Sequence, residues 1–393
     1  VKPAYTTQLV TAEGDFAALA PEWGRLYGRC ASATPFQSHA WLHSWWLSYG
    51  TPGRLRLVLV RDENAELVAA APLLRVRGPV PSLVPLGGAI SDYGDVLIDD
   101  DGEAVSAAAD ALARGLSAAA RTAVIDFREV RPGGAIEHVW ERWRGPRRRV
   151  LDSPCLELPA VPMAELVSRL PSNKAQRVRA KLRKLTALGV QRNVVGADGV
   201  DAALRRLLEL HALQWQGRKV TTEHLRSRFC EHLVRSVGPM VRSGNAVVTE
   251  FRLDDDVVAV DLTLVSRRLS GGYLYGAHPR LRERKADVAV MLLDACAEQT
   301  GAAGGGTLSL LRGDEPYKHH WRPERVVNER LLLARRRTAP LLSAVVCEVA
   351  ARRRGKELLG RWEEHRAGRA AATATAGGAG AGAGGERAGG GGP

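Results

Sequence analysis

Cysteine is sparse and scattered in this sequence. The five cysteines, Cys30, Cys155, Cys230, Cys296 and Cys347, are odd in number and far apart, with no CxxC among them. That spacing implies neither a disulfide framework nor a zinc knuckle, and a reducing compartment fits it best. No apolar run approaches the ~20 residues of a membrane span. The first residues lack the charged-then-apolar order of a signal peptide. These absences lead to the expectation of a cytoplasmic protein with no membrane span.

Familiar catalytic signatures are missing as well. His39 and His43 have the spacing of two metal ligands on a helix, but Ala40 stands where a zinc protease carries Glu, so no metal is expected. There is no G-x-S-x-G elbow. The run Gly301-Ala302-Ala303-Gly304-Gly305-Gly306 follows a helical stretch and precedes a strand, the wrong context for a phosphate loop. Lysine is also rare. The net charge of +13, from 56 basic and 43 acidic residues, is carried almost wholly by arginine. With so much Ala and Gly, this matches the codon bias of a GC-rich genome, so charge is not taken here as a sign of nucleic-acid binding.

What is present is an ordinary globular composition, 45% hydrophobic and 25% charged over 393 residues. At roughly 100–200 residues per domain, two domains are expected. Ser38 predicts a helix start, with Trp41 and Trp45 on one face. Alternation predicts strands at Leu55–Val60 and Leu67–Val76 around an Asp62-Glu63-Asn64 turn, then Tyr93–Ile98, a helix over Asp101–Ala120, and a strand at Ala123–Phe127. The second half repeats the order. Strands are predicted at Asn245–Leu253, Val257–Val265 and Leu269–Gly276, a helix at Lys285–Gln299, and a strand at Thr307–Leu311. The repetition is of pattern, not of residues.

Between the halves, Pro154–Pro171 reads as irregular. A basic helix then opens, with Asn173 and Gln176 at capping-box spacing. Helices are predicted at Leu204–Trp215, Glu223–Val237 and, basic and amphipathic, Pro340–His365. Beyond Arg369 the chain is Ala, Gly and Thr, a composition expected to stay disordered.

The strongest local signal is Leu310-Leu311-Arg312-Gly313-Asp314-Glu315-Pro316-Tyr317-Lys318. This segment resembles the GNAT-fold acyltransferases, in the CelD (cellulose biosynthesis) type branch related to the FemABX aminoacyl transferases. The arginine-rich stretch Lys174–Lys184, Leu210-His211 with Trp215, and Pro35-Phe36-Gln37-Ser38 with Trp41 resemble further segments of that branch. The resemblance is good over about residues 165–335 and thinner before. It implies an α/β protein of two tandem GNAT-like halves, each a mixed, mostly antiparallel sheet flanked by helices. The halves are expected at 1–160 and 161–336, followed by a basic helix at 337–366 and a disordered tail at 367–393.

The resemblance also implies acetyl-CoA or another acyl-CoA as donor and a small-molecule or glycan amine as acceptor. The pyrophosphate would sit on backbone N–H groups at a helix start. That assigns cofactor binding to Arg280, Arg282, Arg284, Lys285 and Ala286, with Lys318 for an anionic group. The loop departs from the family pattern, because no Gly lies between Pro279 and Lys285. Acyl transfer needs a deprotonated amine, a stabilised oxyanion and a protonated leaving thiolate. Tyr317 is the candidate general acid. Asp314 or Asp261 is the candidate base, and Glu250 a weaker one. Asp261 interrupts an apolar strand, and burial there would raise its pKa. His211 reads as a packing residue rather than a catalytic one. Two alternatives stand beside this reading. One is a FemABX-like transferase using aminoacyl-tRNA. The other is a non-catalytic scaffold of polysaccharide or envelope synthesis.

Overall fold

The apolar alternation of the sequence is realised strand by strand in the computed structural model, which describes residues 5–100, 104–214, 222–302, 304, 306–352, 354, 355, 358 and 362. In the first half, β1 (Thr6–Val10) leads into α1 (Glu13–Ala18), α2 (Ala20–Arg29) and α3 (His39–Tyr49). As expected, Ser38 caps α3, its Oγ accepting the Trp41 N–H at 3.4 Å. The hairpin β2 (Leu55–Arg61) and β3 (Leu67–Val76) follows. Then come β4 (Ser82–Pro85), the two-residue β5 (Leu97–Ile98), α4 (Val105–Ala119), β6 (Val124–Val130) and α5 (Ile136–Arg142). β7 (Arg147–Pro159) leads out of this half.

The second half opens with α6 (Met163–Ser168), α7 (Ser172–Ala187), β8 (Gln191–Val194), α8 (Val200–Gln214) and α9 (Ser227–Arg242). α7 starts one residue before its expected cap, with Pro171 in the capping position and Asn173 Oδ1 accepting the Lys174 N–H. The sheet resumes with β9 (Ala246–Leu253), β10 (Asp256–Val265) and β11 (Ser270–Ala277). Then follow α10 (Arg280–Glu283), α11 (Val288–Ala302), β12 (Thr307–Arg312) and β13 (Glu324–Leu333).

All the described strands join one mixed sheet in the order β1-β2-β3-β4-β6-β13-β7-β12-β11-β10-β9-β8, with β5 paired to β3. Each half carries the same signature, a hairpin followed by a parallel pair that parts almost at once. β4 and β6 share two register positions, and β11 and β12 share one, Ser270 opposite Leu308. The halves also trade strands. β7 precedes residue 160 yet pairs with β12, whereas β13 crosses back to pair with both β6 and β7. Each final strand is kinked by a non-glycine residue at positive φ, Glu129 in β6 (54°) and Leu311 in β12 (59°). Irregular register accompanies both, which is how a bulge re-aims a strand end.

One continuous core joins Phe16, Trp23, Leu57 and Phe127 to Leu204, Phe229 and Val260, so the α8 and α9 face of the second half is buried against the first half. The opposite face of the second half is covered by α6, α7 and α11, through Leu166, Cys296 and Leu308 and through Phe251, Ala259 and Met291. α8 crosses the parted edge of β11 at Gly276. A Cβ there would lie 2.4 Å from the Leu207 carbonyl oxygen and 2.5 Å from the His211 nitrogen. Gly276→Ala is therefore expected to cost about 3 kcal/mol by overpacking, read as a lower urea midpoint.

The chain divides into two units, Val1–Leu342 and Ser343–Pro393. In the second, residues 343–352 are helical, with an Arg352–Glu348 pair at 2.5 Å. The tail expected at 367–393 lies outside the described residues. No helix among the described residues is long and apolar enough to cross a membrane.

Candidate active site

The parting of β11 from β12 opens the sheet beyond Ser270 and Leu308, and groups from both halves gather there. Asp261, on β10, stands opposite Tyr275 of β11 in the register, so the two side chains share the α11 face. Asp261 is buried, and burial pushes its carboxyl up to about 7 while a hydrogen bond from Thr263 Oγ1 at 2.8 Å pulls it down. The neighbouring strand offers no side chain at exposed Gly272, where a Cβ would lie 3.7 Å from Asp261 Oδ1. The carboxyl thus lies in a buried niche that β11 leaves without a side chain at Gly272. A carboxylate titrating near neutrality can take a proton from an ammonium group. Cys296 abuts the same niche, but burial raises its thiol to about 12, which keeps it protonated and excludes a thiolate nucleophile.

α8 supplies the next layer. His211 Nδ1 meets the Tyr275 carbonyl at 2.8 Å. Gln214 donates from Nε2 to the Tyr275 hydroxyl at 3.0 Å and accepts the Ala277 N–H at 3.1 Å. The unpaired edge of β11 is therefore satisfied by side chains of α8 rather than by β12. His211 is a packing residue that fixes this edge. Trp215 lies outside the described residues.

The segment after β12 behaves differently from its expected roles. Arg312 reaches into the first half, to Asp92 Oδ1 (2.9 Å), Glu129 Oε1 (3.1 Å) and the Ala89 carbonyl (2.8 Å). Lys318 is buried and folds back, its Nζ on the Arg312 carbonyl at 2.9 Å and on Glu315 at 2.8 Å. Lys318 therefore stabilises the turn in this structure. Asp314 is held in an exposed pair with His319 Nε2 at 2.5 Å. Tyr317 is 59% exposed, and among the described residues its hydroxyl makes no hydrogen bond. Of the motif, Tyr317 is the group left free to meet a ligand.

The first half contributes a wall that sequence reasoning did not locate. Tyr93 hydrogen-bonds through its hydroxyl to Ser309 Oγ at 2.9 Å, and the Tyr273 hydroxyl donates to the Ile90 carbonyl at 2.8 Å. Asn328 of β13 ties the Asp92 carbonyl, Glu129 Oε2 and Cys155 together. Asp92, Tyr93 and Glu129 carry no local motif. Tyr275 could have been found from the β10–β11 hairpin register, which sets it opposite Asp261.

The proposed cofactor loop is largely engaged with itself. Arg280 bridges Asp256 (2.8 Å) and Asp254 (2.9 Å), and Arg284 lies 3.9 Å from Asp254. The N–H groups of Lys285 and Ala286 bond to the carbonyls of Arg282 and Leu281. Lys285 has φ 53°, a conformation glycine adopts without strain, so the backbone follows a glycine-type path with a lysine in it. Asp287 caps α11 by accepting the Val290 N–H at 3.0 Å, and it pairs with Lys181 at 2.6 Å. A carboxylate thus stands at the helix end where a diphosphate was expected. Arg282 is the remaining arginine of that loop, on the short α10. Glu250 is held by Arg206 at 3.3 Å.

Comparison with known proteins agrees with this architecture. The sequence model of the Acetyltransferase (GNAT) domain family matches residues 172–319. None of the functionally curated proteins matches the sequence. Among solved structures, FemX is similar at 11% identity over 86% of this chain and 99% of its own, with a TM-score of 0.59. A conserved protein of unknown function from Bacteroides thetaiotaomicron is similar at 11% identity, over 84% of this chain and 100% of its own, with a TM-score of 0.55. The C-terminal domain of a putative lysylphosphatidylglycerol synthetase from Agrobacterium fabrum is similar at 12% identity, over 84% of this chain and 95% of its own, with a TM-score of 0.53. At such identities the likeness is one of fold. Residues 172–319 are similar to the GNAT acetyltransferase domain, and the chain that carries this segment is an acyltransferase.

Proposed function

We propose that this chain transfers an activated acyl group to an amine held where β11 parts from β12. The observation that carries the reading is the buried Asp261 carboxyl, titrating at about 7 beside Gly272. Asp261 takes the ammonium proton, the amine attacks the donor carbonyl, and the exposed Tyr317 hydroxyl protonates the leaving group. The donor suggested by the GNAT match is an acyl-CoA, and the acceptor is a small-molecule or glycan amine. Arg282, with Arg284 and Lys285 beside it, would meet the CoA phosphates.

A second donor is favoured by one observation. Asp287 fills the start of α11 and the adjacent N–H groups are spent within the loop, which suits a donor without a diphosphate at that point. Aminoacyl-tRNA is such a donor, and the FemX-like fold is compatible with it. The test is a thermal-shift titration with acetyl-CoA, longer acyl-CoAs and free CoA, paired with transfer of labelled amino acid from charged tRNA. A native-state ligand at a hundredfold its Kd adds about 2.7 kcal/mol. A saturable rise with CoA thioesters supports the first donor. No rise, with label transferred from tRNA, supports the second. Neither signal, across both donor classes and a panel of amines, would overturn the acyl-transfer reading.

A further inference from the structure

Most arginines of the sheet are matched by acids. Arg61 pairs with Glu22, Arg149 with Glu329, Arg312 with Asp92 and Arg330 with Asp126. One groove breaks that habit. It has a volume of about 660 Å³ and lies between the end of α4, the turn from α5 to β7, and the end of β13. α4 contributes Arg114 and the turn after it Arg121, the end of α5 contributes Arg142 and the turn after it Arg144, and the segment after β13 contributes Arg335, Arg336 and Arg337. Among the described lining residues the one acid is Asp110, 3.9 Å from Arg142, which also lies 3.5 Å from Glu141. Among the described residues, none of the other six arginines has a carboxylate within ion-pair distance.

Codon bias can place arginines in a sequence, but it does not gather seven around one groove and leave six of them without acids. Their mutual repulsion disfavours the empty groove and is relieved by an anion. Inorganic phosphate would engage one or two guanidinium groups, so an array of this size fits a polyanion. The groove is concave, and its one aromatic, Trp143, is buried with its Nε1 on the Ala334 carbonyl at 2.9 Å. Among the described residues no exposed apolar side chain larger than alanine lines it, as a membrane-docking surface would require. Arg147, at the start of β7 beside the groove, is eight residues from Cys155 at the transfer site. At about 3.3 Å per residue this is about 26 Å along one strand. Whatever fills the groove is therefore remote from the reacting centre.

We propose that this groove binds the phosphodiester backbone of a nucleic acid. Arginine contacts to phosphate read backbone and not base, so binding is expected to be independent of sequence and steeply dependent on salt. The inference does not require either donor named above. A chain that uses acyl-CoA can still carry the groove.

The experiment is fluorescence anisotropy with labelled tRNA, an unstructured RNA and a DNA duplex, across a salt series. Three proteins are compared: the wild type; Arg114→Glu, Arg121→Glu, Arg336→Glu, Arg337→Glu together; and Lys174→Glu, Arg177→Glu, Arg183→Glu, Lys184→Glu together. All eight substituted side chains are exposed, and the two sets change net charge equally. The groove set is expected to weaken binding at least tenfold. It should also flatten the slope of log K against log salt by about 0.7–0.9 for each phosphate that the variant no longer neutralises. The α7 set should leave the slope nearly unchanged. If the four-fold groove variant does not fold, the pair Arg121→Glu and Arg337→Glu serves, with half the slope change. Preference for RNA or for DNA separates the two sources of the same chemistry. Equal losses from both sets would overturn the groove in favour of diffuse charge. So would binding to phosphatidylglycerol vesicles through these arginines with no binding to either nucleic acid.

Discussion

Removing the Arg312 side chain is expected to be among the most destabilising single changes in the molecule, on the order of 3 kcal/mol. Arg312 stands at the end of β12 and makes its three contacts with Ala89, Asp92 and Glu129, all in the first half. Burial already pushes the Asp92 carboxyl up, and the neighbouring guanidinium opposes that shift. In Arg312→Ala, Asp92 and Glu129, exposed by 14% and 15%, lose their countercharge in a site with little water. Arg312→Lys is expected to recover only part of the loss, because one ammonium cannot serve a fork spread over two carboxylates and a carbonyl. Urea denaturation checks the stability. The fold of the first half is then expected to fail together with the second, in one transition, because the shared core leaves neither half to melt alone.

The second large effect joins stability and rate in opposite directions. Asp261 has a folded-state pKa of about 7 against an ordinary value of 3.8. Because the folded value is raised, its contribution to stability is complete below about pH 3.8. That contribution is lost as pH rises through about 7, at about 1.4 kcal/mol per pH unit within that window. Asn is permanently neutral and similar in shape. Asp261→Asn is therefore expected to melt several degrees above wild type at pH 8 and to lose that advantage near pH 4. The same substitution removes the proposed base, with an expected loss of about 10²–10⁴ in kcat. The wild-type rate should rise with pH to a plateau above about 7. A variant that is less stable at pH 8, or that keeps full activity, would sink the assignment of Asp261.

Much of the framework was legible because it rests on local pattern. The β2–β3 and β9–β10 hairpins, α3 with its serine cap, and α11 all follow from apolar period and turn chemistry. β7 and β13 were not legible. β7 begins with Arg147, Arg148 and Arg149 and contains Pro154, which argues against a central strand. The proline is accommodated where the β12 register breaks, its carbonyl accepting the Gly313 N–H at 3.1 Å. β13 gave no turn signal, because it pairs with strands remote in sequence.

The site was readable in part for the same reason. Asp261 stood out as a charge within an apolar strand, but whether it was buried could be read only from the structure, which buries it. Lys318 did not read correctly from composition. A basic residue in a polar loop looks free until its fold-back onto Arg312 is seen. The arginine groove is invisible along the chain, because charge counted in sequence cannot show which arginines lack acids in space.

The exchange of β7 and β13 also constrains how the molecule is made. β6 emerges from the ribosome with one edge unpaired, and its antiparallel partner β13 is still roughly 200 residues away. At about 5–20 residues per second, that edge waits about 10–40 s before its neighbour exists. The first half cannot close its sheet during its own synthesis, so the nascent chain must hold an open strand edge until nearly the last of the sheet has been translated.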